Sequence, residues 1–357
     1  MNKSGRICIA VDAMGGDHGQ QVVVPGALAA ARKSDLKIIL VGQEAILREE
    51  LARHKTAGLD IEIHHAPEVA GMGDKPSEVL RKKKYTSVQE AFRLVKGGTA
   101  QGVVSAGNSG VTLASGVFTL GRIKGIERPA LASILPTEKD PLVLIDVGAN
   151  VDCKPHHLVQ FGLMAEVLSR AVLGRQTPRV GILSIGEEEG KGNTQVKEAF
   201  TLLRSSSLNF IGNIEGRDLF SGDVDVVVCD GFVGNVALKV IEGLASSLAH
   251  VLKKELKSSL LSKLGTVLTL GSLKRFSRHV DYAEYGGAPL LGLKGFAVVC
   301  HGASNEKAIR TSVQMAAQFI ASRANDHLTE GLSANKDLSF FGRKLKSSLN
   351  RSSEANI

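Results

Sequence analysis

Seven short, uninterrupted apolar runs punctuate the chain at residues 7–11, 38–41, 103–105, 142–145, 180–185, 224–229 and 296–300, each closed by a small or acidic residue and followed by glycine. Runs of this length without polar alternation predict strands buried on both faces, and such strands belong to parallel sheets covered by helices. Helix-like periodicity fills many of the intervals, most clearly at 156–173, 194–204, 235–264 and 304–323. Strand and helix in alternation predict an α/β protein with a mostly parallel sheet. No glycine- or proline-rich linker divides the chain, so residues 1–324 are expected to form a single catalytic domain, either one body or two lobes. From 325 the sequence turns polar and loses its apolar period except at 338–341, which predicts a flexible tail over 325–357.

Composition narrows the partners. Aromatic residues are only 4% and tryptophan is absent, so there is no row of rings for bases to stack on, and a nucleic acid is not expected. The net charge of +8 suits an anionic substrate, an acidic protein or anionic lipid headgroups. Cys8, Cys153, Cys229 and Cys300 lie at no metal-ligand spacing, and three of them sit in apolar runs, as reduced thiols of a cytoplasmic core do. The run 7–11 is too short for a signal-peptide core and leads straight into Asp12. Residues 97–121 carry no charge over a membrane-spanning length, but Gln101, Ser105, Asn108, Ser109 and frequent glycine fit strand, turn and helix better.

In open parallel sheets, ligands bind outside the carboxyl ends of the strands. Here those ends read DAMGGDH (12–18), SAGNSG (105–110), DVGAN (146–150), GEEEGKG (186–192), DGFVGN (230–235) and HGAS (301–304). Glycine lets backbone N–H groups approach a ligand, and a helix starting just afterwards adds its positive end, so phosphate is the natural guest. Any single loop could equally be a tight turn; several on one edge would favour a site. Standard signatures fail: 186–192 lacks the P-loop glycine spacing and its Ser or Thr, and there is no GxGxxG, GxSxG or HExxH. The pairs His64-His65 and His156-His157 are wrongly spaced for a metal and read as surface residues or caps. No metal and no cofactor are expected.

The motifs IAVDAMGGDHG, GDKPSEVLRKKK (73–84), SAGNSG, IDVGANVDCKPHHLVQFGLM (145–164), IGEEEGKG, FIGNIEGRD (210–218), CDGFVGNVALKVIEG (229–243), YGGAPLLGL (285–293) and VCHGAS closely resemble those of PlsX, the phosphate acyltransferase family of bacterial phospholipid synthesis. Agreement runs from about Ile7 to about Ala317. Departures are Gln20, where the family usually has proline, and Ser109 and Val111, where it usually has threonine and alanine. The resemblance implies a three-layer α/β/α fold similar to isocitrate and isopropylmalate dehydrogenases and phosphotransacetylase. It also implies a homodimer, and a reaction in which inorganic phosphate attacks the thioester of an acyl-acyl carrier protein to give acyl phosphate. Phosphate is already a nucleophile at neutral pH, so the protein needs mainly to bind it, orient it and stabilise the oxyanion.

For that chemistry Lys191, a lone cation between glycines, is the candidate for charge stabilisation, or else a solvated lysine beside Glu187–Glu189. Gly15, Gly16 and Gly234 would offer backbone N–H groups to phosphate. Asn108, Ser109 and Asn235 could donate to it or cap their helices. His18 or His301 could protonate the departing thiolate or simply close its loop. Asp12, Asp17, Asp146 and Asp230 are expected to tie loops together, since carboxylates repel phosphate.

Residues 244–278 form a further feature. Leu248, Leu252, Leu256, Leu260, Leu261 and Leu264 recur at roughly helical spacing, and 265–271 breaks the helix while staying apolar at Val267, Leu268 and Leu270. Lys253, Lys254, Lys257, Lys263, Lys274, Arg275 and Arg278 surround them, opposed only by Glu255. Such a basic amphipathic hairpin could rest on an anionic membrane, placing the protein at the inner face of the cell membrane near a downstream glycerol-3-phosphate acyltransferase, or its leucines could pack a dimer. Two other classes compete: a decarboxylating dehydrogenase, which would need metal-binding acids and a dinucleotide fingerprint, and a non-catalytic membrane scaffold.

Overall fold

The computed structural model describes residues 6–280 and 284–335, the side chains of 277–280 excepted. Its strands are β1 (Ile7–Asp12), β2 (Leu36–Gly42), β3 (Asp60–His65), β4 (Gly102–Ser105), β5 (Ala130–Leu135), β6 (Leu142–Ile145), β7 (Val180–Leu183), β8 (Phe210–Ile214), β9 (Val226–Val228), β10 (Ala288–Leu291) and β11 (Phe296–Val299). They join one eleven-stranded sheet in the order β3-β2-β1-β4-β11-β10-β5-β6-β9-β7-β8. The helices are α1 (Gln20–Lys33), α2 (Glu44–Ala52), α3 (Pro76–Lys82), α4 (Ser87–Lys96), α5 (Ser109–Leu120), α6 (Pro155–Leu173), α7 (Thr194–Arg204), α8 (Gly231–Leu256), α9 (Leu260–Leu268), α10 (Leu270–Val280), α11 (Glu306–Ala321) and α12 (Ala324–Ala334).

The period of two along each strand sends alternate side chains to opposite faces of the sheet. Ile9 and Val11 of β1 join a core with Leu28 of α1, Phe161 of α6 and Ile309 of α11. Cys8 and Ala10 join a second core with Phe92 of α4 and Val111 of α5. Both faces are therefore buried, which is why the strands carry no polar alternation, and the three-layer α/β/α architecture follows. The uncharged stretch 97–121 resolves into β4 and α5, both built into this core.

Direction along the sheet decides where a site can be. β3, β2, β1, β4 and β11 run parallel; β10 is antiparallel to β11 and to β5, and β5 is antiparallel to β6. β6, β9, β7 and β8 are again parallel to one another, but opposite to β1. The sheet is mostly parallel, yet its two halves open toward opposite edges.

Two sequence expectations need correction. Residues 325–335 are not a tail: α12 packs on α6, Leu328 is buried, and Asn335 donates to Ser207 Oγ at 2.8 Å. Its few apolar residues fall on one side of a single short helix, too brief a pattern to register as a period. Residues 336–357, including 338–341, lie outside the described residues. The break expected over 265–271 does fall there, but at Thr269 rather than at the glycines: Gly265 lies within α9 and Gly271 within α10, and the chain also turns earlier, at Lys257–Ser259, where Ser259 caps α9. A helical glycine costs only about 1 kcal/mol against alanine, which neighbouring helix formers absorb.

Candidate active site

Six glycine-rich loops close six strands, and the reversal divides them into two cradles. On the first edge the loops after β1, β4 and β11 meet. Asp12, buried at the end of β1, accepts from Ser105 Oγ at 2.7 Å and from Met14 N–H at 3.3 Å, while Gly107 N–H donates to Ser105 Oγ at 3.1 Å. A Cβ on Gly15 would lie 2.6 Å from Gly107 N, so only glycine permits that approach; Gly16 sits at φ +91° facing Gly302 O. Asp17 N–H donates to Gly302 O at 2.9 Å and links the third loop.

On the opposite edge the loops after β6 and β9 meet, and the loop after β7 leaves the strand next to β9. Asp146, fully buried, accepts from Leu131, Gly148 and Ala149 N–H through Oδ1 and from Asn150 N–H and Nδ2 through Oδ2, at 2.7–3.3 Å. Gly231 N–H donates to Asn150 O at 2.7 Å, and a Cβ on Gly234 would fall 1.9 Å from Asp146 O. Asp230 caps α8 by accepting from Phe232 and Val233 N–H at 3.0 and 2.9 Å. The carboxylates of Asp12 and Asp146 do tie the loops to neighbouring strands, Asp17 links its loop through its backbone N–H, and Asp230 caps its own helix. Burial pushes the carboxyls of Asp12 and Asp146 above the usual carboxylate range, against the pull of Ser87 and Ser105 on the first and Asn150 on the second.

The expected site residues accordingly fall into two groups a strand length apart, roughly 13–20 Å. Gly15, Gly16, His18, Asn108, Ser109 and His301 share the first edge; Lys191, Gly234 and Asn235 share the second. Asn108 is not available to phosphate. Its Oδ1 caps α5 by accepting from Val111 N–H, and its Nδ2 donates to Met72 O and Asp74 O. His301 closes its loop: Nδ1 accepts from Ala303 N–H at 3.1 Å, which leaves the proton on the exposed Nε2. His18 and Ser109 are exposed, the latter at the first turn of α5. Gln20 opens α1, the position proline suits best.

Lys191 is exposed, folded over Gly186, and has no carboxylate partner among the described residues; Glu189 and Glu187 pair instead with Arg204 and Arg217. Beneath its loop lie polar atoms the sequence did not single out. Ser184 Oγ, Gln195 Nε2 and Asn213 Oδ1 are buried without a protein partner, although Asn213 Nδ2 donates to Glu188 O at 2.7 Å. Ser184 and Asn213 occupy neighbouring strand ends and Gln195 the first turn of α7, so only the sheet order brings them together. Asn235, exposed in the first turns of α8, lies against Gly148.

His156 and His157 lie off the surface beside Glu127, the three close enough to face one ion, and His157 caps α6. Both Nε2 atoms approach Glu127 Oε2, at 3.1 and 3.3 Å. His157 Nδ1 accepts from Lys154 N–H at 3.1 Å, so its Nε2 carries the proton and has no lone pair for a metal. Burial, then the charge of His156, holds His157 below the ordinary histidine range. For Glu127 burial acts upward, but His156 and His157 outweigh it and the carboxyl stays low. His65 accepts from Glu44 N–H at the start of α2, and so does cap a helix.

All four thiols are free, and burial pushes them up: Cys8 and Cys153 to about 11, Cys300 to about 12 and Cys229 well above the ordinary value. None is a thiolate at neutral pH, so a cysteine-bound acyl intermediate is disfavoured.

Comparison with known proteins adds the chemistry. Residues 7–326 match the family model described as fatty acid synthesis protein. The chain is 60% identical over 339 residues to the phosphate acyltransferase of Nitratidesulfovibrio vulgaris, covering 95% of this chain and 98% of that one, and 62% identical over 339 residues to that of Oleidesulfovibrio alaskensis, with the same coverage. A phosphotransacetylase from Streptococcus pyogenes shares the fold at TM-score 0.63 with 18% identity, covering 90% of this chain and 95% of its own. A Staphylococcus aureus phosphotransacetylase does so at 0.60 with 16% identity, covering 88% and 94%. The chain belongs to the PlsX family of phosphate acyltransferases, enzymes that transfer an acyl group to phosphate.

Proposed function

We propose that the acyl donor is the thioester of an acyl carrier protein and that the product feeds phospholipid synthesis. A phosphate oxygen attacks the thioester carbonyl carbon, the C–S bond breaks, and the thiolate leaves and takes a proton from His18 or water, while the Nε2–H of His301 can give it only a hydrogen bond. The observation that carries this reading is the second edge: Lys191, with no carboxylate partner among the described residues, precedes α7, and Asn235 lies exposed in the first turns of α8, a cation and an amide that can meet an anion. With every thiol held protonated, phosphate itself is the nucleophile. The positive net charge suits an acidic carrier.

A centre that uses both edges takes one from each protomer of a homodimer. Support for that assembly is the apolar face of α8: Val236, Val240, Leu244 and Leu248 are exposed at intervals of four, starting beside Asn235. Beyond it no residue of α9 is buried, and Val267, Leu268 and Leu270 stand out among lysines, a surface suited to the inner face of the cell membrane. There the acyl phosphate could pass to a glycerol-3-phosphate acyltransferase without crossing water.

The test is kinetic. Lys191→Ala and Asn235→Ala are expected to keep the wild-type melting temperature and to lose roughly a hundredfold or more in turnover or in phosphate use. If both fold and retain wild-type kinetics, the reaction centre lies elsewhere.

A further inference from the structure

One strongly charged surface takes no part in this chemistry. α3 and the residues flanking it carry Lys75 and the run Arg81-Lys82-Lys83-Lys84. Lys83 is tied down between Asp74 Oδ2 and Val69 O, both at 2.8 Å, and Lys82 pairs with Glu78 at 3.1 Å. Lys75, Arg81 and Lys84 are exposed, and among the described residues no carboxylate pairs with their side chains. Met72 and Tyr85, also exposed, stand at the two ends of the patch.

The patch is fixed to the first cradle. Asn108 Nδ2 holds Met72 O at 2.6 Å and Asp74 O at 3.1 Å. A Cβ on Gly110 would meet Pro76 Cγ at 2.9 Å, and one on Gly302 would meet Met72 Cε at 2.6 Å. The cations therefore sit on a rigid shelf beside Gly15, Gly16 and Ser109, where they can align a partner with the cradle.

We infer that α3 and its flanking cations are the docking surface for the acidic carrier protein, with its thioester arm passing over Met72 into the first cradle. The inference rests on the carrier-thioester reading above. Fixed cations around a few exposed apolar side chains make a polar rim that steers an acidic protein and sets its register. The cations of α8 to α10 surround exposed leucines instead, an arrangement suited to lipid. Around α3 the aliphatic residues turn inward: Val79 is buried and Leu80 half-buried.

The experiment compares a full-length triple variant, Lys75→Glu/Arg81→Glu/Lys84→Glu, with wild type on two donors: an acyl-acyl carrier protein and the same acyl chain on free pantetheine. The variant is expected to raise KM for the carrier substrate roughly tenfold or more, with the gap closing at about 0.5 M salt, and to leave pantetheine turnover unchanged. An unchanged carrier KM, or an equal loss on both donors, overturns the assignment. So does a larger carrier defect in Lys253→Glu/Lys254→Glu/Lys257→Glu. Binding of apo carrier protein, measured by surface plasmon resonance, gives the same comparison without turnover: weakening in the α3 variant supports the surface and no change overturns it. A wild type that uses the pantetheine thioester and rejects the carrier-bound one contradicts the carrier-thioester reading itself, and is thereby told apart.

Discussion

Gly234→Ala separates the site from the fold within one methyl group. The added Cβ would lie 1.9 Å from the carbonyl oxygen of Asp146, where real Cβ contacts essentially never fall below 3.0 Å. The Cβ has no rotamer to escape through and the oxygen belongs to backbone, so relief requires the first turn of α8 to move from the 146–150 loop by about 1 Å or more. Overpacking of this kind costs about 1–3 kcal/mol, offset by about 1 kcal/mol of helix propensity, so the variant is expected to fold with a melting temperature lowered by only a few degrees. Asn235 moves with the turn, and a displacement of about 1 Å in a reaction centre can cost about a hundredfold in rate. The assay pairs thermal unfolding with acyl phosphate formation, and Gly190→Ala, whose Cβ meets nothing within 4 Å on the same edge, serves as the control expected to stay near wild type. If Gly234→Ala folds and keeps activity within about twofold, the second edge is not the reaction centre.

Other expectations follow from single contacts. Asp225 accepts from Arg179 N–H, Nε and Nη2 at 2.8–3.1 Å; burial acts upward, but these donors outweigh it and hold the carboxyl below its ordinary value. Its stabilisation is therefore present above about pH 4 and lost as pH falls through the lowered pKa. Asp225→Asn is expected to cost about 1–3 kcal/mol in urea denaturation at pH 7, with the difference shrinking below about pH 4; a difference that persists there contradicts this. Iodoacetamide at pH 7.5 is expected to label the native protein far more slowly than the urea-unfolded chain, and rapid native labelling of any cysteine would contradict the burial argument. Leu268→Glu is expected to release the protein from anionic liposomes in sedimentation assays while the soluble reaction continues; undiminished binding would remove α9 as the anchor, and dissociation to monomers would mean that it packs the dimer.

The seven apolar runs correspond to seven strands because burial on both faces leaves an uninterrupted signature. The four missed strands carry none. β3 and β8 are edge strands with polar positions, DIEIHH and FIGNI, while β5 and β10, ALASIL and APLL, are poor in β-branched residues and interrupted by Ser133 and Pro289. Missing β5 and β10 mattered most, since their antiparallel pairing reverses the sheet and separates Lys191 and Asn235 from Gly15, Gly16 and Ser109. No local pattern reports strand direction. The aspartates were legible as loop ties because a carboxylate at a strand end between glycines meets several N–H donors. Asn108 and His301 were ambiguous between capping and catalysis, and only hydrogen-bond geometry decided them.

The central claim is a direct transfer from a carrier-bound thioester to inorganic phosphate. The purified protein, incubated with acyl-acyl carrier protein and labelled phosphate in the presence of EDTA and without nucleotide, is expected to form labelled acyl phosphate and free carrier protein in equal amounts. Absence of that product under EDTA with turnover restored by a divalent ion, or reduction of a nicotinamide cofactor in its place, would contradict the account.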